Sequence, residues 1–184
     1  MPFGTFCPAR ASGRQISNAD IGSGANIAKA KLADDAVRYL LPPNAFLSDA
    51  TIAASGVFSV LTFANAAAKV ARSSIQLPNR WSSSDITVKI WALTTATTGN
   101  ARFVVSYKSV QADGTTASED SATLLSAVPA VASNIFALSE TLSSANFADG
   151  DILGIQVDRD PDHADDTADA DVLVLGIEFI VSHR

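Results

Sequence analysis

From Thr51 onward the chain is a punctuated alternation. Short runs in which every second residue is apolar are each closed by turn-forming residues. The clearest run is residues 85–93, where Ile86, Val88 and Ile90 fall on one side of an extended chain and Thr87, Lys89 and Trp91 on the other. A Thr-rich loop ending in Gly99-Asn100 follows, and residues 101–110 answer as a paired strand, with Phe103, Val105 and Tyr107 set against Arg102, Ser106 and Lys108. Further strands are expected over residues 51–54, 57–63, 69–77, 123–128, 134–142, 151–158 and 171–181, with Ile152 and Val157 buried in the next-to-last of these. Pro78-Asn79-Arg80, Asp113-Gly114 and Ala148-Asp149-Gly150 supply the turns. About eight short strands and no second helix predict an all-β, antiparallel sandwich, jelly-roll-like in its connections.

The first forty or so residues are written differently. Ile16, Ile21, Ile27 and Leu32 stand singly among small and polar residues, and residues 1–15 are rich in Pro, Gly, Ser and Arg without periodicity. A short helix fits residues 28–41, because Ala28, Leu32, Ala36, Val37, Tyr39 and Leu40 recur at helical spacing and Pro42-Pro43 would stop it. The expected division is an extended N-terminal arm over residues 1–43 and a β-sandwich head over residues 44–184.

Composition narrows the function. Of 184 residues 47% are hydrophobic and 17% charged, enough apolar content for a packed core. The net charge of −6 argues against nucleic-acid binding, which needs an excess of Lys and Arg. That charge is local: residues 158–171 hold seven Asp against the single Arg159, so the remainder of the chain is neutral. The longest apolar stretch, residues 56–68, is broken by Ser59, Thr62 and Asn65 and is too short to cross a bilayer, so no membrane association is expected. Cys7 is the one cysteine, which excludes an internal disulfide framework, and Met1-Pro2-Phe3-Gly4 does not open a secretory leader.

Catalytic signals are thin. His163 and His183 are the two histidines, and Cys7 has no base near it in sequence. A carboxylate pair for glycoside hydrolysis is conceivable given the many Asp, but only three Glu occur and aromatic platforms for sugars are scarce. Asp158, Asp160 and Asp162 have the i, i+2, i+4 spacing of calcium-loop ligands, with Asp169 in the twelfth place. His163 stands where the sharp bend needs Gly, and Pro161 intervenes. A solvated connection between strands is the preferred reading; no metal and no cofactor are expected. Trp81 and Trp91 are read as packing residues, or as buried at a subunit contact.

The order Arg80-Trp81, Ile86-Thr-Val-Lys-Ile-Trp91, Gly99-Asn100, Val105-Ser-Tyr107, Asp149-Gly-Asp151-Ile-Leu153, Asp158-Arg-Asp-Pro161, Asp165-Asp166 and Asp171-Val-Leu-Val-Leu-Gly-Ile-Glu-Phe-Ile180 resembles the jelly-roll domain of tailed-bacteriophage virion proteins. These proteins include capsid decoration (cement) proteins and the heads of phage fibres. The run from Ile16 to Leu32 likewise resembles the short units that precede such heads. The resemblance implies a non-enzymatic homotrimer on the capsid exterior, made in the host cytoplasm. Its partner would be the major capsid protein, clamped through an arm whose contacts are Phe3, Phe6, Ile16, Ile21, Ile27 and Leu32. Single apolar residues cannot make a core alone, whereas burial against sister chains or a shell would contribute roughly 1.5–3 kcal/mol each. A fibre head that binds a receptor is the alternative function, and a β-sandwich carbohydrate-active enzyme the second alternative.

Overall fold

The computed structural model describes residues 36–78, 85–111, 114–143 and 147–182. Eleven strands run in chain order: β1 (Ala36–Leu41), β2 (Leu47–Ser48), β3 (Thr51–Ser55), β4 (Phe58–Phe63), β5 (Lys69–Gln76), β6 (Ile86–Thr94), β7 (Asn100–Val110), β8 (Asp120–Ala127), β9 (Phe136–Leu142), β10 (Ile152–Arg159) and β11 (Val172–Ser182). They form two antiparallel sheets. One has the order β3-β4-β11-β6-β9, with β1 also paired to β11; the other has the order β2-β5-β10-β7-β8. Neighbours distant in sequence, such as β11 between β4 and β6, are the crossovers of a jelly-roll-like sandwich.

The alternation read from sequence sets the core. Ile86, Val88 and Ile90 of β6 and Phe103 and Val105 of β7 are fully buried, and Tyr107 is nearly so. The two sheets meet through pairs such as Phe63 on Phe103, an edge-to-face contact with ring centroids 5.1 Å apart. In β10 the parity differs from expectation. Leu153, Ile155 and Val157 face inward, and Ile152 is half exposed. Ile152 and Val157 are five residues apart, and an odd separation in a strand places side chains on opposite faces.

The expected helix over residues 28–41 is corrected where the chain is described: residues 36–41 are a strand. Val37, Tyr39 and Leu41 alternate toward the interior, and all of β1 pairs in register with β11, from Ala36 opposite Ser182 to Leu41 opposite Ile177. Spacing that satisfies a helix also satisfies alternation in so short a run, and an open sheet edge decides for the strand. Pro42 and Pro43 then lead into a single 3-10 turn over Pro43–Ala45. β11 changes partner along its length, with Val172–Val174 beside β4 and Ile177–Ser182 beside β1. A bulge against β6 falls between Val174 and Gly176, at the changeover.

Candidate functional site

Three places in the sandwich concentrate polar chemistry or exposed apolar surface. The first is the acidic connection between β10 and β11, held by a buried cation. Arg159 continues the inward parity of β10 and is fully buried. Its guanidinium donates to both carboxylate oxygens of buried Asp166, Nε to Oδ2 and Nη2 to Oδ1, each at 2.9 Å. The remaining donors reach the backbone carbonyls of Phe63 and Ala170 at 3.0 Å and of Ala168 at 3.1 Å. Asp166 Oδ2 also accepts the Arg102 amide at 3.2 Å.

The loop is further seated on the β6–β7 turn. Asn100 O accepts the amides of Thr167 and Ala168, both at 2.9 Å, and Asn100 N donates to the Thr167 hydroxyl oxygen at 2.9 Å. Gly99 makes this approach feasible: it sits at φ +91°, and a Cβ there would lie 2.1 Å from the Thr167 carbonyl oxygen. The solvated connection expected from the charge count is therefore a clamped loop with an exposed tip.

Three of the four carboxylates with calcium-like spacing are engaged separately, and Asp162 takes part through its backbone amide. Asp158 accepts from Gln156, Asp160 accepts the Asp162 amide, and Asp169 accepts the Asn65 side-chain amide. Among the described residues no group of three or more His, Cys, Asp or Glu is placed to hold a metal ion. His163 accepts the Asp165 amide at the loop tip.

The second place is the solvent side of the first sheet. Trp91, Leu175 and Gly176 form the floor of a groove of about 450 Å³, walled by Leu40, Phe58 and Ile135. Leu40, Phe58 and Ile135 are 62%, 56% and 56% exposed, a concentration of large apolar side chains that isolated surface hydrophobes do not produce. Gly176 lets β1 close on β11: a Cβ there would stand 3.1 Å from Leu40 Cδ1 and 3.3 Å from the Leu41 carbonyl oxygen.

Glu178 lies at the edge of this groove and is almost wholly buried. It accepts from Arg38 Nη1 at 2.8 Å and from Trp91 Nε1 at 3.3 Å, while Lys89 Nζ stands over the Trp91 ring, 5.0 Å from its centroid. The Arg38 hydrogen bond holds the Glu178 carboxyl below its ordinary range. Burial opposes that shift, and the Trp91 N–H and the charges of Arg38 and Lys89 add to it.

The third place is the solvent side of the second sheet, a shallow polar groove of about 240 Å³ around Gly154.

The outward direction of Trp91 and Lys89 was legible from alternation. The inward direction of Arg159 was legible in principle from the parity Leu153, Ile155, Val157, but a charge count obscures it. Phe3, Phe6, Ile16, Ile21, Ile27 and Leu32, the expected assembly contacts, lie outside the described residues, as do Cys7, Trp81 and His183. Among the described residues no helix is long and apolar enough to cross a membrane.

No protein-family model matches this chain, and no curated protein matches its sequence. Solved structures do match. The CBM35 module of Cellvibrio japonicus Abf62 is similar with a TM-score of 0.53 and 11% identity, over 80% of this chain and 99% of that one. A Xyl-CBM35 module follows with a TM-score of 0.49 and 14% identity, over 79% and 97% of the two chains. The enzymatically active domain of bacteriophage CBA120 tailspike protein 4 gives a TM-score of 0.40 and 10% identity, over 81% of this chain and 20% of that one. At 11% identity the Abf62 module establishes shared architecture, a β-sandwich of the kind found in carbohydrate-binding modules.

Proposed function

We propose that this chain is a non-enzymatic structural protein of a tailed-phage virion. It acts as a trimeric decoration protein on the capsid exterior, with the segment preceding β1 engaging the shell and the sandwich displayed outward. The observation that carries the reading is the apolar groove around Trp91. A solvent-facing sheet surface with three large apolar side chains more than half exposed is the composition of a subunit contact. Arg38, Lys89 and Glu178 at its edge give that surface a polar rim of fixed geometry.

The residues that resemble phage virion jelly rolls support an architectural role for the shared motif. Arg159, Asp166 and Asp171 belong to the loop clamp, and Trp91, Gly176 and Glu178 to the groove. A fibre head remains the alternative function, favoured by the polar groove on the second sheet.

Size-exclusion chromatography with light scattering on the full chain tests the assembly. Three chain masses are expected, falling to one in the Phe58→Ser/Ile135→Lys double variant, with an unchanged circular dichroism spectrum. A monomeric wild type at micromolar concentration would sink the trimer. Cosedimentation with purified phage shells tests the partner: the full chain is expected to pellet with shells and a chain lacking residues 1–35 is not. Equal pelleting of both rules out the arm as the clamp.

A further inference from the structure

Gly154 occupies the middle of β10 without any structural demand for glycine. Its backbone is not in the left-handed region, and an added Cβ would meet only the Lys108 carbonyl oxygen at 3.6 Å, an ordinary contact. Glycine inside a strand weakens it, and one setting in which strands carry it is close approach of a ligand or another backbone. Around that bare position the sheet register is laid out in rows. Gly154 lies between Ser74 and Lys108, and Gln156 between Arg72 and Ser106.

The polar groups around this floor are fixed in place. Arg72 Nε donates to Gln156 Oε1 at 2.7 Å, and Gln156 Nε2 donates to both Asp158 oxygens, at 2.9 and 3.2 Å. Both polar ends of the Gln156 amide are thereby held, and the Arg72 guanidinium is oriented through one nitrogen. Among the described residues its two terminal nitrogens have no protein partner, and neither does the Lys108 ammonium. Two cations thus flank an open strip of backbone, and among the described residues Glu119 is the one carboxylate lining the groove.

We propose that this groove binds an acidic saccharide, a sugar ring bearing a carboxylate. The planar fork of Arg72 and the ammonium of Lys108 match a carboxylate, and the flat floor at Gly154 admits the ring. Glu119 accepts from ring hydroxyls and opposes a dianion such as phosphate. Among the described residues this groove offers one carboxylate, short of the pair that most glycoside hydrolases use, so binding is the chemistry proposed for it. The proposal rests on the fibre-head alternative and not on the trimer or the capsid contact.

Isothermal titration of the full chain with trigalacturonate, sialyllactose, neutral lactose and inorganic phosphate tests it. At least one of the two acidic sugars is expected to bind, tenfold or more tighter than lactose and phosphate. Gly154→Val and Lys108→Gln are each expected to weaken that binding at least tenfold. Gly154→Val is further expected to leave the melting temperature unchanged or raised, since valine suits a strand interior. A lowered melting temperature in that variant makes the glycine structural and overturns the proposal. Equal affinity for lactose overturns the acidic specificity while leaving saccharide recognition standing. Absence of heat with all four probes, together with absence of binding to host cells, overturns both the groove and the fibre-head alternative.

Discussion

Arg159 donates to one carboxylate, three backbone carbonyls and, at 3.5 Å, Asn65 Oδ1, and the carbonyls separate two accounts of what it does. If charge pairing alone mattered, replacing both Arg159 and Asp166 by apolar residues would restore stability, as it often does for buried ion pairs. The carbonyls of Phe63 and Ala170 would still lose the Arg159 donor, while that of Ala168 keeps the Ala170 amide, and buried acceptors that lose a partner destabilise. Arg159→Met is therefore expected to cost roughly 3–5 kcal/mol in urea unfolding, the range for breaking a buried pair by removing one partner. The Arg159→Met/Asp166→Leu double variant is expected to recover only part of the loss. Full recovery would reduce Arg159 to a counter-ion. Gly99→Ala provides a second route to the same loop, because its methyl group cannot coexist with the Thr167 carbonyl.

At the scale of elements, β1 is tied to the sandwich by backbone pairing, by Tyr39 and Leu41 packed on the core and by the ion pair of Arg38 with Glu178. The Glu178 carboxyl is held below its ordinary value, so its contribution is present above the unfolded-state pKa near 4.5 and is lost as pH falls through the lower folded value. Protection of the β1 amides, taken relative to their intrinsic exchange at the same pH, is accordingly expected to fall below about pH 4.5, before that of the centre of β6. Glu178→Gln should remove that acid dependence. Truncation gives a companion expectation: a chain starting at Pro42 melts several degrees lower than one starting at residue 36.

β1 also shows where sequence reading reaches its limit. Six residues satisfy both periodicities, and the choice belongs to the vacant edge of β11, which no local pattern records. Ile86–Ile90 and Phe103–Tyr107 were readable because long, strict alternation has one solution in an antiparallel sheet. The loop clamp was hidden for a different reason. Seven aspartates dominate a charge count, and the one arginine that organises them shows only when strand parity is carried to the last residue of β10.

At the scale of the whole molecule, the two sheets share one interior and present unlike exteriors. The first exposes Leu40, Phe58 and Ile135 beside Trp91; the second exposes Arg72, Lys108 and Gln156 around a bare glycine. The proposed assembly face and the proposed saccharide groove can then be separated by mutation, because substitutions on opposite faces of a sandwich share no partners and add independently. Phe58→Ser/Ile135→Lys is expected to change mass without changing saccharide affinity per chain, and Gly154→Val the reverse.

The clamped loop has a use in engineering. Between Asp160 and Asp165 the tip is a self-contained turn, closed by the His163 amide on the Asp160 carbonyl and the Asp166 amide on the His163 carbonyl. On either side the chain is stapled, by Arg159 before it and by Asp166 to Ala168 after it. A foreign peptide spliced in at Ala164 would therefore be carried between two fixed posts. The posts make that position a natural graft point for displaying a foreign peptide on the sandwich.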